Sequence, residues 1–425
     1  MLLPGYKISA ILAACLAGYL LVSAPRQQPG LPGDLRDAPN SPGAFGQLGG
    51  EERLQDAQGQ SVPDPVPVAG GGRKGTAARY PGNDSREAKL FLNAGTGTDG
   101  GQTKIFTPGQ PRGTVLVRPR EFLIIGHAGS PLREIENTVK SFQAALDEGA
   151  NAIETDVCLT ADGILALWHD WDSYGDVANL RQMGVASYKY APFFDSREPE
   201  GITVADISYQ HLRKYYGYRL PRNGSEKLLD IIPTFEEMAK WASGKDRLKL
   251  IYLDIKIPEN RSDLVPAAVE KINELGSRYS ILDKLVFFSP SMKIVETARA
   301  YVRQKGYALK IGLDREMPVK VFMQAEEEAV PLDDFRLMKE SSQLGLQYTS
   351  LGQPTAATLQ NGWANYQRLV SFNVFQKTLY PGARFIAWTI NNEEDSKWLI
   401  KNGVDGIMTN SVDVVARAVR NSGSR

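Results

Sequence analysis

From Glu121 onward, short runs of β-branched and aromatic residues alternate with amphipathic stretches of helical period, and this alternation constrains the fold more than any other feature of the chain. The predicted strands cover residues 122–127, 151–157, 164–168, 248–255, 284–288, 309–313, 346–350, 384–390 and 406–409. Residues 164–168 follow Val157 too closely for a helical crossover, so they are expected to add as a hairpin arm. The other eight keep a strand-then-helix order, which predicts an α/β fold of the TIM-type (β/α)8 barrel kind. The helices between them carry ordinary end signals. Asn137 or Thr138 can cap 139–148 and Gly149 follows it, Thr234 precedes 235–242, and Asn402 and Gly403 follow 393–401.

The barrel is expected to span residues 121–425, with an insertion at about 171–231 that carries Tyr188, Tyr190, Tyr209, Tyr215, Tyr216 and Tyr218. That insertion reads equally as a roof over the barrel mouth or as a packed accessory unit. Residues 26–120 are crowded with glycine, proline, glutamine and aspartate and show no sustained period, as expected of a disordered linker. Ahead of it, Lys7, the apolar run 8–22 and Ser23-Ala24-Pro25 make 1–25 a signal peptide or membrane anchor. A secreted or membrane-anchored protein, outside the cytoplasm, is the expectation.

Lysine plus arginine and aspartate plus glutamate both total 49, so no overall field draws the chain to nucleic acid. Cys15 and Cys158 are the only cysteines, too few and too differently placed for a disulfide framework or a thiolate metal site. The histidines are His127, His169 and His211, so an all-histidine zinc site would have to use all three. Any metal is therefore expected on carboxylates.

Glu154 and Asp156 stand two apart at a strand end and so share one face, where two like charges call for a cation. In a barrel that face opens at the C-terminal rim, and a hard ion such as Mg2+ or Ca2+ prefers oxygen donors. Asp254 ends the apolar run 250–253 and is the natural third ligand, with Lys256 on the same face to hold a phosphate oxygen. His127 and His169 end their own strands beside these groups, and two histidines can take and supply the protons that displacement at phosphorus needs. His211 lies in a predicted helix of the insertion and reads as structural.

Order and spacing then matter together. His127-Ala128-Gly129, Glu136-Asn137-Thr138, Glu154-Thr155-Asp156-Val157, Thr160-Ala161-Asp162-Gly163, His169-Asp170, Leu253-Asp254-Ile255-Lys256, Ala387-Trp388-Thr389 and Gly403-Val404-Asp405-Gly406 resemble the glycerophosphodiester phosphodiesterase family over residues 121–420. The resemblance implies a TIM barrel that releases an alcohol from a glycerophosphodiester and leaves glycerol phosphate. It implies His127 and His169 as acid and base, Glu154, Asp156 and Asp254 on a divalent metal, Lys256 on phosphate, and Trp388 along the glycerol or leaving-group side. Two positions depart from the family pattern: Ala128 stands where an arginine is usual, and Asp254 where a glutamate is. Arg133 is the nearby residue that can replace the missing guanidinium. Lysophospholipid or sphingolipid as substrate, with a cyclic phosphate product, is an alternative, and a silent phosphodiester-binding barrel is another.

Overall fold

The computed structural model describes residues 121–183, 189–194, 201–220, 227–317, 337–353, 362–380 and 382–423. The expected export segment 1–25, the linker 26–120 and Tyr188 lie outside the described residues.

The chain enters the barrel with β1 (Leu123–Gly126), turns through helix α1 (Val139–Glu148) and returns in β2 (Ala152–Leu159). Thr138 caps α1 by accepting from Ser141 N, and Gly149 ends it at φ 115°, a left-handed conformation that glycine adopts without a Cβ clash. The two-residue β3 (Leu165–Ala166) pairs antiparallel with β2, as the short spacing predicted. After the insertion, β7 (Leu250–Ile255), β8 (Leu285–Ser289), β9 (Lys310–Glu316), β10 (Tyr348–Gly352), β11 (Arg384–Trp388) and β12 (Gly406–Thr409) follow in order around the ring. Each barrel strand pairs in parallel with the next, and β1 pairs with both β12 and β2, which closes a barrel of eight strands.

Strand alternation sorts the side chains into two cores. One set, including Ile153, Val157, Ile251, Leu253, Phe287 and Phe385, packs against the surrounding helices through residues such as Phe142 and Phe235. The alternate set, Leu123, Ile125, Ala152, Leu250, Tyr252, Val286, Phe288, Tyr348, Ile386 and Met408, fills the barrel itself. The next inward positions along the same strands are His127, Glu154, Asp156, Asp254, Lys256, Asp314, Ser350 and Trp388. An apolar plug therefore gives way to polar groups at the C-terminal ends, where barrel sites form.

β3 is shorter than the predicted 164–168, and His169 stands beyond the strand instead of at its end. Leu167 N donates to Pro233 O and the Trp168 indole donates to Asp170 O, so the chain leaves the ladder after Ala166 to bond elsewhere.

The insertion is a packed unit. It holds α2 (Asp176–Gln182), β4 (Ala191–Phe194), α3 (Tyr209–Tyr215), β5 (Tyr216–Arg219) and β6 (Lys227–Leu229), with the strands in an antiparallel sheet ordered β4-β5-β6. Its apolar cluster surrounds Trp168, whose ring meets Tyr216 and Tyr218 edge-on at 6.2 and 5.2 Å. Tyr209 donates to Ile232 O, and His211 lies in α3 against the Tyr215 ring. Among the described residues no helix is long and apolar enough to cross a membrane.

Candidate active site

At the rim, β2 and β7 set Asp156 directly opposite Asp254. Glu154, Asp156 and Asp254 each offer an oxygen, and these atoms lie within 4.8 Å of one another. Lys256 bridges two of them, its Nζ 2.9 Å from Asp156 Oδ1 and 2.6 Å from Asp254 Oδ2. Glu154 accepts the Ala128 amide at 2.7 Å, and Asp156 accepts the Asn137 side-chain amide at 2.7 Å. Asn137 also takes the Asp156 N–H at 3.0 Å and the Thr155 hydroxyl at 2.9 Å, so one amide fixes both the backbone and the carboxylate of Asp156.

The electrostatics are divided. Burial, then the neighbouring Asp156 and Asp254, push the Glu154 carboxyl well above its ordinary value. Burial acts on Asp156 in the same sense, but Lys256, His169 and Arg181 outweigh it and hold that carboxyl well below. A divalent cation suits this donor set. All three groups present hard oxygens, and Asp254 Oδ1 is buried with no hydrogen-bond partner among the described residues.

His127 follows β1, its N–H continuing the ladder to Thr409 O. Its Nδ1 lies 2.8 Å from Asn410 Oδ1, and its Nε2 faces Glu154 Oε2 at 3.9 Å. His169 is held the same way, Nδ1 to Asp170 Oδ1 at 2.7 Å. Desolvation lowers both imidazoles, helped at His169 by the charges of Arg181 and Lys256. Burial tends to raise Asp170, but Arg181 and the His169 hydrogen bond prevail and hold it below the usual carboxylate range. Arg181, on α2 of the insertion, donates from Nη1 to that same Asp170 oxygen at 2.6 Å and from Nη2 to Glu136.

Trp388 stands across the barrel at the end of β11. Its indole N–H donates to Asp314 Oδ1 at 2.6 Å, and the Ser350 hydroxyl donates to the same oxygen from the register position beside Asp314. Burial, with Asp254 next, pushes the Asp314 carboxyl up to about 8. Gly352 makes room for the indole, since a Cβ there would lie 2.5 Å from the Trp388 ring.

The sequence-predicted groups His127, Glu154, Asp156, His169, Asp254 and Lys256 thus meet on one side of the rim, with Trp388 on the other. Arg133 does not join them. Its side chain is 66% exposed and pairs with Glu148 at 2.8 Å. Ala128 is buried in a left-handed conformation, φ 50°, that is uncommon for a residue with a Cβ. Three bonds hold it there: its N–H to Glu154, and its carbonyl accepting from Ser141 Oγ and Asn137 N. Sequence reasoning did not single out Arg181, Asp314 or Ser350. Glu136 and Asp170 figured only as parts of the matched pattern, and Asn137 otherwise only as a helix cap.

The profile described as the Glycerophosphoryl diester phosphodiesterase family matches residues 127–414. A glycerophosphodiester phosphodiesterase of Caldanaerobacter subterraneus is 24% identical over 71% of this chain and 99% of its own length. The lysophospholipase D GDPD1 of Rattus norvegicus is 23% identical over 67% of this chain and 82% of its own. In fold, the chain is similar to the crystal structure of a glycerophosphoryl diester phosphodiesterase-like protein from Silicibacter pomeroyi, with a TM-score of 0.52 at 19% identity, covering 72% of this chain and 95% of that one.

Proposed function

The chain belongs to the glycerophosphoryl diester phosphodiesterase family and is a phosphoric diester hydrolase, and from that premise we propose that it cleaves glycerophosphodiesters to an alcohol and glycerol phosphate. The observation that carries this reading is the meeting of three carboxylates, one partly buried lysine and two imidazoles, each imidazole held through Nδ1 with Nε2 left for proton exchange.

Glu154, Asp156 and Asp254 would hold Mg2+ or Ca2+, which supplies Lewis-acid stabilisation of charge on the phosphoryl oxygens. Lys256 offers a fixed positive charge to a phosphate oxygen in the same place. The ionised Asp170 accepts only, so the His169 proton sits on Nδ1 and the Nε2 lone pair is directed elsewhere. His127 is arranged alike on the Asn410 amide oxygen. One ring, neutral at Nε2, takes a proton from the attacking water, while the other, entering as the imidazolium, gives its Nε2 proton to the departing alkoxide, and the two return to their starting states by proton exchange with solvent. The new P–O bond replaces the old one without net gain of charge. Trp388 lines the side that receives the glycerol or the leaving group.

The full chain, purified and given glycerophosphocholine, should release glycerol phosphate, stop when a chelator is added and resume with Mg2+ or Ca2+. Absence of turnover with every metal and diester tried would sink the reading. The similarity to a lysophospholipase D supports lysophospholipid as a second substrate class. Phosphorus NMR of that product distinguishes a monoester from a cyclic phosphate. The apolar run 8–22 supports an exported or membrane-tethered enzyme, and sequencing the N-terminus of protein from the native cell tests it.

A further inference from the structure

Arg181 comes from the insertion, yet its side chain is buried among groups of the barrel rim. One arm of the guanidinium reaches Asp170, whose same oxygen holds His169 Nδ1 at 2.7 Å. The other arm reaches Glu136, and the next residue, Asn137, makes the three bonds that fix Thr155 and Asp156. The helix bearing Arg181 is tied down in turn, because Arg219 of β5 donates to Gln182 O at 2.9 Å.

A buried arginine between two carboxylates is a poor device for stability alone, since apolar side chains of similar volume serve as well or better. What the arrangement does offer is direction. A planar fork fixes two acceptors at a set angle, which a lysine ammonium cannot do. We infer that Arg181 is a positioning residue through which the insertion sets the two halves of the site, orienting His169 by way of Asp170 and Asp156 by way of Glu136-Asn137. The insertion is then a working part of the active site, acting through Arg181 on groups of the barrel rim. This inference rests on the proposed roles of His169 and Asp156.

The test uses the full chain in Mg2+ with ring-15N-labelled histidine, and the presence of only His127, His169 and His211 keeps the spectrum assignable. In Arg181→Ala and Arg181→Lys, kcat for glycerophosphocholine should fall about 10- to 100-fold with KM changed by no more than about threefold. The ring nitrogens of His169 should shift while those of His211 stay in place. Should Arg181→Ala fail to fold, Arg181→Lys carries the test, because it keeps the charge and most of the volume. Unchanged kcat with an unchanged His169 spectrum overturns the inference. So does a loss of activity in which His169 and His211 move together, because that reports general loosening. Turnover in His169→Asn separates the two claims: wild-type activity there would defeat the catalytic reading, whereas the response of the His169 ring to Arg181 is read from the spectrum alone.

Discussion

The two sides of the barrel rim are built on different principles. On the side of β1, β2 and β7, His127, Glu154, Asp156, Asp254 and Lys256 crowd together, and every one of them has a charged or amide partner. On the side of β9, β10 and β11, one carboxylate, Asp314, is shared by a hydroxyl and an indole, with Gly352 leaving space for the ring. Charge on the first side is balanced among neighbours, as the opposed shifts of Glu154 and Asp156 record. On the second side burial pushes the Asp314 carboxyl up to about 8, which favours its neutral acid form and lightens the charge on that wall. A group that must exchange protons or hold a cation needs the first kind of surroundings; a wall that must present one aromatic face needs only the second.

Changes on the two sides should therefore fail differently. The largest effect is expected from His127→Asn or His169→Asn, each lowering kcat by about 10²- to 10⁴-fold with little change in fold, as steady-state kinetics alongside circular dichroism would reveal. Retained turnover in both would erase the contrast. Next, Asn137→Ala removes the amide that holds Asp156, and metal affinity measured by calorimetry should weaken about 10- to 100-fold. On the aromatic side, Trp388→Ala should act mainly on KM, raising it about tenfold through lost apolar contact, and a kcat effect larger than the KM effect would contradict a recognition role.

The smallest effect concerns Asp314→Asn, which keeps the shape and the acceptor oxygen. The folded-state value of about 8 lies above the ordinary 3.8, so the folded protein holds this proton more tightly than the unfolded chain does. Below pH 4 both states are protonated and the residue is neutral in its effect. Stability is then lost as pH rises from about 4 to about 8. The asparagine variant escapes that loss, so its melting temperature should exceed that of the wild type by several degrees at pH 9 and by almost nothing at pH 4. Equal melting temperatures at both values would mean that Asp314 is ionised like an ordinary carboxylate.

The eight strands could be read from the chain because alternation and turn residues are local signals, and the inward positions Glu154, Asp156 and Asp254 follow from a period of two once the strands are known. The partners that hold those groups follow no such period. Arg181 lies 45 residues from Glu136 and Trp388 lies 74 from Asp314, distances spanned only after insertion and barrel have folded. Arg133 was the expected substitute guanidinium because it is near in sequence; in space it belongs to Glu148. The position of His169 was misjudged for a related reason, since Leu167 finds its acceptor in Pro233, far along the chain. Sequence spacing identifies the groups on a strand, while the supports come from wherever the chain next passes.

Gly352 offers a practical opening. With only 2.5 Å between the Trp388 ring and the point where a first side-chain carbon would stand, a single added methyl must displace the indole. A residue without a side chain thus acts as the adjusting screw of the aromatic wall. Gly352→Ala gives an engineer a way to recontour the cavity while leaving every charged group of the opposite wall in its native identity.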